Sequence, residues 1–267
     1  RTEDGIFRNG VRAWTSQAVH AGDVIETHLV ETEPSDGILP RPVPFSVVYE
    51  DDDILVVDKP ADTPIHPSIG NYENTLANGI AWYFEQKGEP FVYRCINRLD
   101  RDTTGLIVLA KHALSAAVLS QAMRSREIHR TYQAFALGET AASGTIDAPI
   151  ARLNGSLIQR TVDFASGERS VTHYRTLAHC SVFSHLELNL ETGRTHQIRV
   201  HMAYIGHPIL GDTVYGAKKP VPGLTGQCLH ASGLRFVHPR TGEPVELHCP
   251  LPPEFTAMLQ KLQNKSQ

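Results

Sequence analysis

The stretch Ile96–Lys111 (INRLDRDTTGLIVLAK) constrains the fold of this chain more than any other. Its residues 105–110 form a short apolar run rich in β-branched residues, which is typical of a buried strand. The polar loop before this run places Asp100 between Arg98 and Arg101. A carboxylate between two guanidinium groups is expected to stay ionised, which suits a nucleophile or an electrostatic stabiliser. From residue types alone, a turn with a surface ion pair is the simpler interpretation.

The size and composition of the chain predict a soluble, enzyme-sized globular protein. It has 267 residues, of which 41% are apolar and 20% charged, enough for one large core or two smaller ones. No run approaches the ~20 apolar residues of a membrane span, and no signal peptide is recognisable. We therefore expect a cytoplasmic protein with no membrane partner. Because the chain begins at Arg1 and not at Met, it is expected to be a fragment or a trimmed product.

The four cysteines are far apart and form no C-x-x-C pair, which predicts reduced cytoplasmic thiols and no zinc cluster. We expect all of them to be small core residues. They are Cys95, Cys180, Cys228 and Cys249.

The net charge of −4 hides a strong local asymmetry. Residues 1–53 contain 4 basic and 11 acidic residues, whereas residues 94–130 contain 7 basic and 3 acidic residues. Phosphate contacts depend on such local clusters and not on the charge of the whole chain, so nucleic-acid binding is allowed. A solvated helix face would explain the cluster equally well.

Apolar periodicity and turn residues predict the order of elements. We expect a hairpin over 47–57, a helix over 75–86 capped by Thr75, a helix over 113–123, and strands over 128–137, 171–177, 182–190 and 245–248. Residues 138–169 are expected to be irregular and mobile apart from 145–150. A helix around Ile198 and Met202 has Thr195 as its expected cap, and the last helix covers 253–262.

Several motifs of the chain resemble one family. Arg98-Leu99-Asp100 followed by Thr103-Thr104-Gly105 resembles the R-L-D-x-x-T-[ST]-G signature of RluA-type pseudouridine synthases. Further segments follow in the family's order and extend the resemblance over roughly Ser46 to Leu259. They are Lys59–Pro67, Arg130-Thr131-Tyr132, Leu190–His201, Pro208–Gly216 and Leu229–Pro239. Two positions depart from the pattern, because Asp62 replaces a usual Gly and Asn97 replaces a frequent His.

The resemblance implies an α+β fold with a mixed, largely antiparallel sheet in two abutting halves and a central RNA cleft. It assigns residues 46–267 to the catalytic domain and 34–45 to a linker. Residues 1–33 resemble the remnant of an α-L type RNA-binding module whose helical first half is missing.

The function implied by the resemblance is the isomerisation of uridine to pseudouridine in structured ribosomal or transfer RNA. A monomeric enzyme would flip the uracil out, break its bond to C1′ and rejoin C1′ to C5, with no metal and no small-molecule cofactor. The resemblance leaves open whether the aspartate acts at C1′ or at the base. The implied catalytic residues are Asp100, Tyr132 and Arg199. The implied RNA-binding and substrate-binding residues are Arg98, Arg130, Arg194, His196, Gln197 and Leu229.

Other functions remain open from the residues alone. One is a catalytically silent RNA-binding or ribosome-assembly protein with the same fold, although binding alone needs no such carboxylate. Another is a hydrolase that pairs Asp100 with one of the 14 histidines, although no serine elbow or metal set is recognisable. His196 and His201 suggest metal ligands, but they are one residue farther apart than the i, i+4 pairs of helical zinc sites.

Overall fold

One mixed sheet of nine strands is the largest element of the fold. The computed structural model describes residues 5–28, 34–156, 158–216 and 221–263. The strands are β1 (Ile6–Arg8), β2 (Val11–Arg12), β3 (Ile25–Thr27), β4 (Ser46–Glu50), β5 (Ile54–Lys59), β6 (Thr104–Ala110), β7 (His129–Leu137), β8 (Ser143–Asp147), β9 (Ile150–Arg152), β10 (Arg160–Val162), β11 (Val171–His179), β12 (Phe183–Leu190), β13 (Leu229–Val237) and β14 (Pro244–His248). The helices are α1 (Leu76–Lys87), α2 (Ala113–Arg124), α3 (Gln197–Tyr204) and α4 (Pro253–Gln263).

The large sheet has the order β4-β5-β6-β13-β7-β12-β11-β8, and β14 pairs with β13. Only β6 and β13 run parallel to each other, and all other pairs are antiparallel. The β4-β5-β6 half and the β7-β12-β11-β8 half therefore meet at β13. This arrangement confirms the predicted fold class.

The core lies on both faces of β5 and β6, whose alternating side chains point to opposite sides. Every residue of β6 is buried. Leu55 and Ile107 pack with α1 on one face, whereas Ile54 and Leu106 pack with Leu119 of α2 on the other. The predicted cap of α1 is confirmed, because the Thr75 side chain accepts a hydrogen bond from the Asn78 amide. The predicted strands and helices around this core are confirmed, with shifts of a few residues at their ends.

The segment 34–45, which precedes the large sheet in the sequence, packs on helix α1. Residues 5–28 form a three-stranded sheet of order β2-β1-β3, while 1–4 and 29–33 lie outside the described residues. Residues 34–45 contain no helix or strand, yet Asn78 Nδ2 donates to the Leu39 carbonyl at 2.8 Å. A Cβ on Gly79 would lie 2.6 Å from the Val43 carbonyl oxygen, so this segment packs closely on α1.

Three sequence expectations are wrong. The stretch 138–169 contains β8, which pairs with β11 at the edge of the large sheet, and the separate pair β9-β10. Helix α3 is preceded by His196, in the left-handed conformation and without a side-chain cap, and not by a Thr195 cap. Cys95 and Cys180 are only partly buried, in contrast to the other two cysteines.

No helix in the described ranges is long and apolar enough to cross a membrane.

Candidate active site

The Asp100 loop ends where the two halves of the large sheet meet. Gly105 has a φ of +108°, and a Cβ there would lie 2.3 Å from the Ala231 carbonyl oxygen. Only glycine permits β6 to approach β13 this closely. Thr104 Oγ1 also lies 2.8 Å from His230 Nδ1, which joins the two strands through side chains. The loop therefore leaves the sheet from a tightly determined point.

A buried lysine holds the other side of this loop. Lys59 is 0% exposed, and its Nζ donates to the carbonyls of Pro60 (2.7 Å), Thr63 (3.0 Å) and Arg101 (2.8 Å). Burial lowers the pKa of Lys59 to about 7, although nearby carboxylates, led by Asp102, oppose the shift. The three carbonyls use all three ammonium N–H groups, so Lys59 ties the loop to the segment after β5.

Neither arginine beside Asp100 in the sequence is its partner, contrary to expectation. Arg101 Nε donates to Asp62 Oδ1 at 2.6 Å, and Arg98 Nη2 donates to Thr195 Oγ1 at 3.3 Å. Asp62 has a φ of +55°, which explains why glycine is usual at this position of the family motif.

The cation that contacts Asp100 is Arg199, on α3. Its Nη1 donates to Asp100 Oδ2 at 3.0 Å, while its Nε and Nη2 donate to Asp212 Oδ2 (2.7 Å) and Oδ1 (3.0 Å). Burial opposes the charge of Arg199, but the Asp212 hydrogen bonds and both carboxylate charges outweigh it and raise its pKa. Burial likewise opposes the charge of Asp212, but Arg199 lowers its pKa overall. Asp212 thus fixes the guanidinium that faces Asp100.

Tyr132 and Leu229 form the apolar wall of the site. Both are 4% exposed, and they lie on adjacent strands, with Tyr132 opposite Ala231. Burial raises the pKa of Tyr132; Arg130 opposes this shift and the Asp100 charge adds to it. Tyr132 is therefore a neutral phenol at neutral pH, and it offers a ring face and a hydroxyl group.

His196 approaches Asp100 from the turn before α3. Its Nε2 lies 3.9 Å from Asp100 Oδ1, and its Nδ1 lies 2.8 Å from the Tyr215 hydroxyl. That hydroxyl accepts a hydrogen bond from the Arg160 amide at 2.8 Å, so its own hydrogen is available for Nδ1. Burial lowers the pKa of His196, ahead of the opposing Asp100 charge. The neutral ring consequently carries its hydrogen on Nε2, toward Asp100.

Eight of the nine residues that the sequence singled out line one cavity of about 50 Å³. They are Asp100, Tyr132, Arg199, Arg98, Arg194, His196, Gln197 and Leu229. The cavity has room for only a few water molecules, but a groove of about 490 Å³ shares Arg98, Asp100 and Arg199 with it. Arg130, the ninth residue, lines a groove on the other side.

Gln197 and Arg194 maintain the turn that leads into α3. Gln197 Oε1 accepts from Thr192 Oγ1 (2.8 Å) and the Arg194 amide (3.0 Å), and its Nε2 donates to the Val171 carbonyl (2.9 Å). Arg194 forms an ion pair with Glu168 and is partly exposed. Gln197 thus places its neighbours, and Arg194 presents its guanidinium toward solvent.

Two groups that contain histidine have ring nitrogens that could ligate a metal. His201 is buried, with Nδ1 2.9 Å from Thr172 Oγ1 and Nε2 2.8 Å from the Ala148 carbonyl, so protein groups contact both nitrogens. Among the described residues, the one group with metal-like spacing is Asp51, Asp53 and His238. His238 Nε2 lies 2.9 Å from Asp51 Oδ2, and Arg240 pairs with Asp53, so protein groups already contact all three side chains.

The roles of Asp212, Lys59 and Tyr215 were not predicted from the sequence. Each lies within a segment that resembles a family motif, which is the only signal the sequence contains for them. Asn97 was noted as a departure and braces β6, because its side chain bonds the backbone of Leu106 (3.1 Å) and Val108 (2.8 Å).

Comparison with known proteins finds similar sequences in one family. The family model for RNA pseudouridylate synthase matches residues 53–204. The ribosomal large subunit pseudouridine synthase D of Vibrio parahaemolyticus is 41% identical over 239 residues, which cover 84% of this chain and 73% of that protein. The protein of the same name from Escherichia coli K12 is 39% identical over 242 residues, or 86% and 74% of the two chains.

Solved structures of similar proteins have the same fold. The human RNA pseudouridylate synthase domain containing 4 superposes with a TM-score of 0.67 at 25% identity, over 82% of this chain and 93% of that chain. The human domain containing 1 protein gives a TM-score of 0.64 at 25% identity, over 87% and 98%. The family match spans more than half of the sequence, and the bacterial relatives cover most of it. The chain therefore belongs to the RNA pseudouridylate synthase family.

Proposed function

We propose that this RNA pseudouridine synthase isomerises uridines of large-subunit ribosomal RNA. The observation that carries the proposal is the Asp100–Arg199 pair, at 3.0 Å, on the wall of a cavity shared with Tyr132 and Leu229. The substrate class follows from the names of the bacterial relatives. We further propose that the enzyme acts as a monomer in the cytoplasm, where bacterial ribosomes are made, and that it needs neither a metal nor a small-molecule cofactor.

Substrate entry requires the uracil to leave its helix. Flipping a base costs a few kcal/mol, and stacking on aromatic and apolar side chains offsets this cost. Tyr132 and Leu229 supply these surfaces at the inner end of the cavity. Arg98 is exposed at the entrance and lines the cavity and both adjoining grooves, so it is placed to occupy the position that the base vacates.

Asp100 is the group that acts on the nucleoside. Arg199 occupies its Oδ2, while Oδ1 has no hydrogen bond among the described residues and lies near His196 Nε2. Oδ1 is thus the oxygen that faces the substrate, and the geometry serves attack at C1′ and attack at the uracil ring alike. The bond from C1′ to N1 breaks, the held uracil turns, and C1′ bonds to C5. The C5 hydrogen then leaves as a proton to solvent and N1 takes up a proton, so that the product is an isomer of uridine. Tyr132, a neutral phenol, supports the ring during the turn.

The remaining residues hold the RNA and the site. Arg98, Arg130 and Arg194 carry the positive charge that phosphates require. His196 directs Nε2–H toward Asp100 and the bound uridine, and Gln197 fixes the turn that carries Arg194 and His196.

A silent RNA-binding protein is the less favoured alternative. Burying an Asp–Arg–Asp group costs desolvation energy, and RNA binding alone gains nothing from two carboxylates beside a cavity.

Residues 46–267 would be the catalytic domain, 34–45 an anchored linker, and 1–33 the remnant of an RNA-binding module.

Incubation with unmodified RNA tests this function. Transcripts of large-subunit ribosomal RNA, small-subunit ribosomal RNA and transfer RNA are treated separately, and pseudouridine is mapped chemically in each. We expect modification at a few uridines of the large-subunit transcript only. Modification of another RNA would reject the proposed substrate, and no modification of any transcript, with binding intact, would favour the silent alternative.

A further inference from the structure

A second groove lies beside the active-site cavity and is lined by five arginines. We name it the arginine groove; its volume is about 500 Å³. The residues that define it are Ile96, Asn97, Arg98, Met123, Arg124, Arg126, Ile128, Arg130, Leu190, Glu191, Thr192, Gly193 and Arg194. Arg98 and Arg194 also line the cavity, so the groove begins where the catalytic site ends.

Most of the positive charge of this groove is uncompensated. Its one carboxylate, Glu191, lies 3.2 Å from Arg169 Nη2, which lies outside the groove, and 3.7 Å from Arg126 Nη1, which lines it, so these two arginines already neutralise it. Arg194 pairs with Glu168. Within the part of the chain that the structure describes, no ion pair to a carboxylate forms at three of the five arginines, namely Arg98, Arg124 and Arg130.

Arg130 has an unused donor inside the groove. Its Nε is buried and has no hydrogen-bond partner among the described residues. Gly193 makes room for the guanidinium, since a Cβ there would lie 3.1 Å from Arg130 Nη1. A buried N–H without an acceptor is unfavourable, so this geometry favours an acceptor that arrives with a ligand. Arg130 also interacts with the Tyr132 side chain, which connects the groove to the catalytic cavity.

The walls between the arginines are apolar. Ile96, Met123, Ile128 and Leu190 line the same space. A combination of guanidinium forks and apolar surface suits a nucleotide, whose phosphate binds the forks while its sugar and base pack on the aliphatic side chains. Free inorganic anions would use the arginines but would leave the apolar walls without a contact.

We infer that the arginine groove binds an unpaired nucleotide next to the target uridine and holds its phosphodiester with Arg124 and Arg130. This inference rests on the proposed function, because the neighbouring cavity receives the target. Arg124, at the end of α2, lies outside the motifs that pointed to the active site. Among the described residues, its side chain donates hydrogen bonds only to Gln121 Oε1, from Nε at 3.2 Å and from Nη2 at 2.7 Å. It is therefore the arginine whose replacement disturbs the fold least.

The test is the salt dependence of RNA binding by Arg124→Gln. Binding of an unmodified large-subunit ribosomal RNA transcript is measured in the Asp100→Asn background, so that turnover does not interfere. Loss of one phosphate contact should reduce the slope of log affinity against log salt by about 0.7 and weaken binding about threefold to tenfold at low salt. Arg124→Lys keeps the charge and should retain most of the slope.

Arg175→Gln is the matched control. Arg175, on β11, is exposed, pairs with Glu187 of β12 and lines neither the cavity nor the arginine groove. Its replacement by Gln changes the net charge as much as Arg124→Gln does. Equal slopes for Arg124→Gln and Arg175→Gln would overturn the inference. If the wild type forms pseudouridine but Arg124→Gln leaves the salt slope unchanged, the inference about the groove is rejected and the proposed function is kept. If no pseudouridine forms but the salt slope falls in Arg124→Gln and not in Arg175→Gln, RNA binding in the groove is supported and the proposed function is rejected.

Discussion

A single buried guanidinium joins two carboxylates at the centre of the site. Three N–H groups of Arg199 are used, one by Asp100 and two by Asp212. Asp212 also accepts from the amides of Val214 (2.9 Å) and Tyr215 (3.1 Å), so the chain after α3 fixes its position. The direction of the Asp100 carboxylate therefore depends on a residue that does not face the substrate.

Asp212→Asn tests this dependence. The amide cannot accept both guanidinium bonds and carries no charge, so Arg199 should turn away from Asp100. We expect the single-turnover rate at saturating RNA to fall about 100-fold and the free energy of unfolding to fall by about 3 kcal/mol. Asp52→Asn, at a carboxylate that is 90% exposed, should change neither quantity. A wild-type rate in Asp212→Asn would contradict the positioning role.

At the scale of elements, the site depends on the close contact of β6 with β13. These two strands form the parallel pair of the sheet and connect its two halves. Their contact at Gly105 places the Asp100 loop beside Leu229, the first residue of β13, and beside Tyr132 on the next strand. A change in this contact would move the catalytic carboxylate relative to the apolar wall.

Gly105→Ala should break that contact. Its Cβ would meet three backbone atoms of Ala231 at 2.3–2.8 Å, and backbone atoms cannot rotate away. We expect a loss of about 2–4 kcal/mol in urea unfolding, with a large loss of activity. Gly242→Ala is the control, because Gly242 has a similar positive φ but nothing within 4 Å of a Cβ. It should cost only about 1 kcal/mol, and equal losses in both variants would show that strain and not contact is responsible.

Elements with a strong local signal were predictable from the sequence. The β4–β5 hairpin and the capped helix α1 follow from alternation, helical spacing and Thr75. The short segment 145–150 was noted and overlaps β8, but β9 and β10 were missed because they have only 3 residues each and pair with each other in a separate sheet. The start of α3 was misplaced because His196 adopts a left-handed conformation, which is uncommon for a residue other than glycine.

At the scale of the whole molecule, the active site is a product of long-range contacts. Asp100 and Arg199 are separated by 99 residues, and residue types do not indicate this pairing. The family resemblance pointed to both residues, but it gave no partner for Arg101, which binds Asp62. Only the fold shows that Lys59 and Asp212 brace the loop and the guanidinium.

Four histidines inside the molecule should make its free energy of unfolding sensitive to mild acid. Burial lowers the pKa of each, that of His185 to about 4; the others are His196, His201 and His230. Below pH 6.5 the unfolded chain binds protons that the folded chain does not, so stability falls as the pH falls toward the folded pKa values. Each histidine contributes up to about 1.4 kcal/mol per pH unit in this window.

Urea unfolding at pH 7, 6 and 5 measures this effect. We expect the free energy of unfolding to fall continuously over this range, and the decrease to be shallower in His185→Gln, which removes the histidine whose pKa burial lowers to about 4. A free energy that stays constant from pH 7 to pH 5 would show that these side chains are solvated or protonated in the folded protein.

We propose that Asp100 catalyses the exchange of the C5–H bond of uridine for a bond to C1′. The measurement that tests it most directly is the release of tritium from large-subunit ribosomal RNA labelled at uracil C5. Asp100→Asn keeps an oxygen that can accept from Arg199 Nη1, and Asp102→Asn changes a carboxylate of the same loop that has no bond to Arg199. Wild type and Asp102→Asn should release tritium, whereas Asp100→Asn should release none above background. Release by Asp100→Asn at the wild-type rate would contradict this assignment.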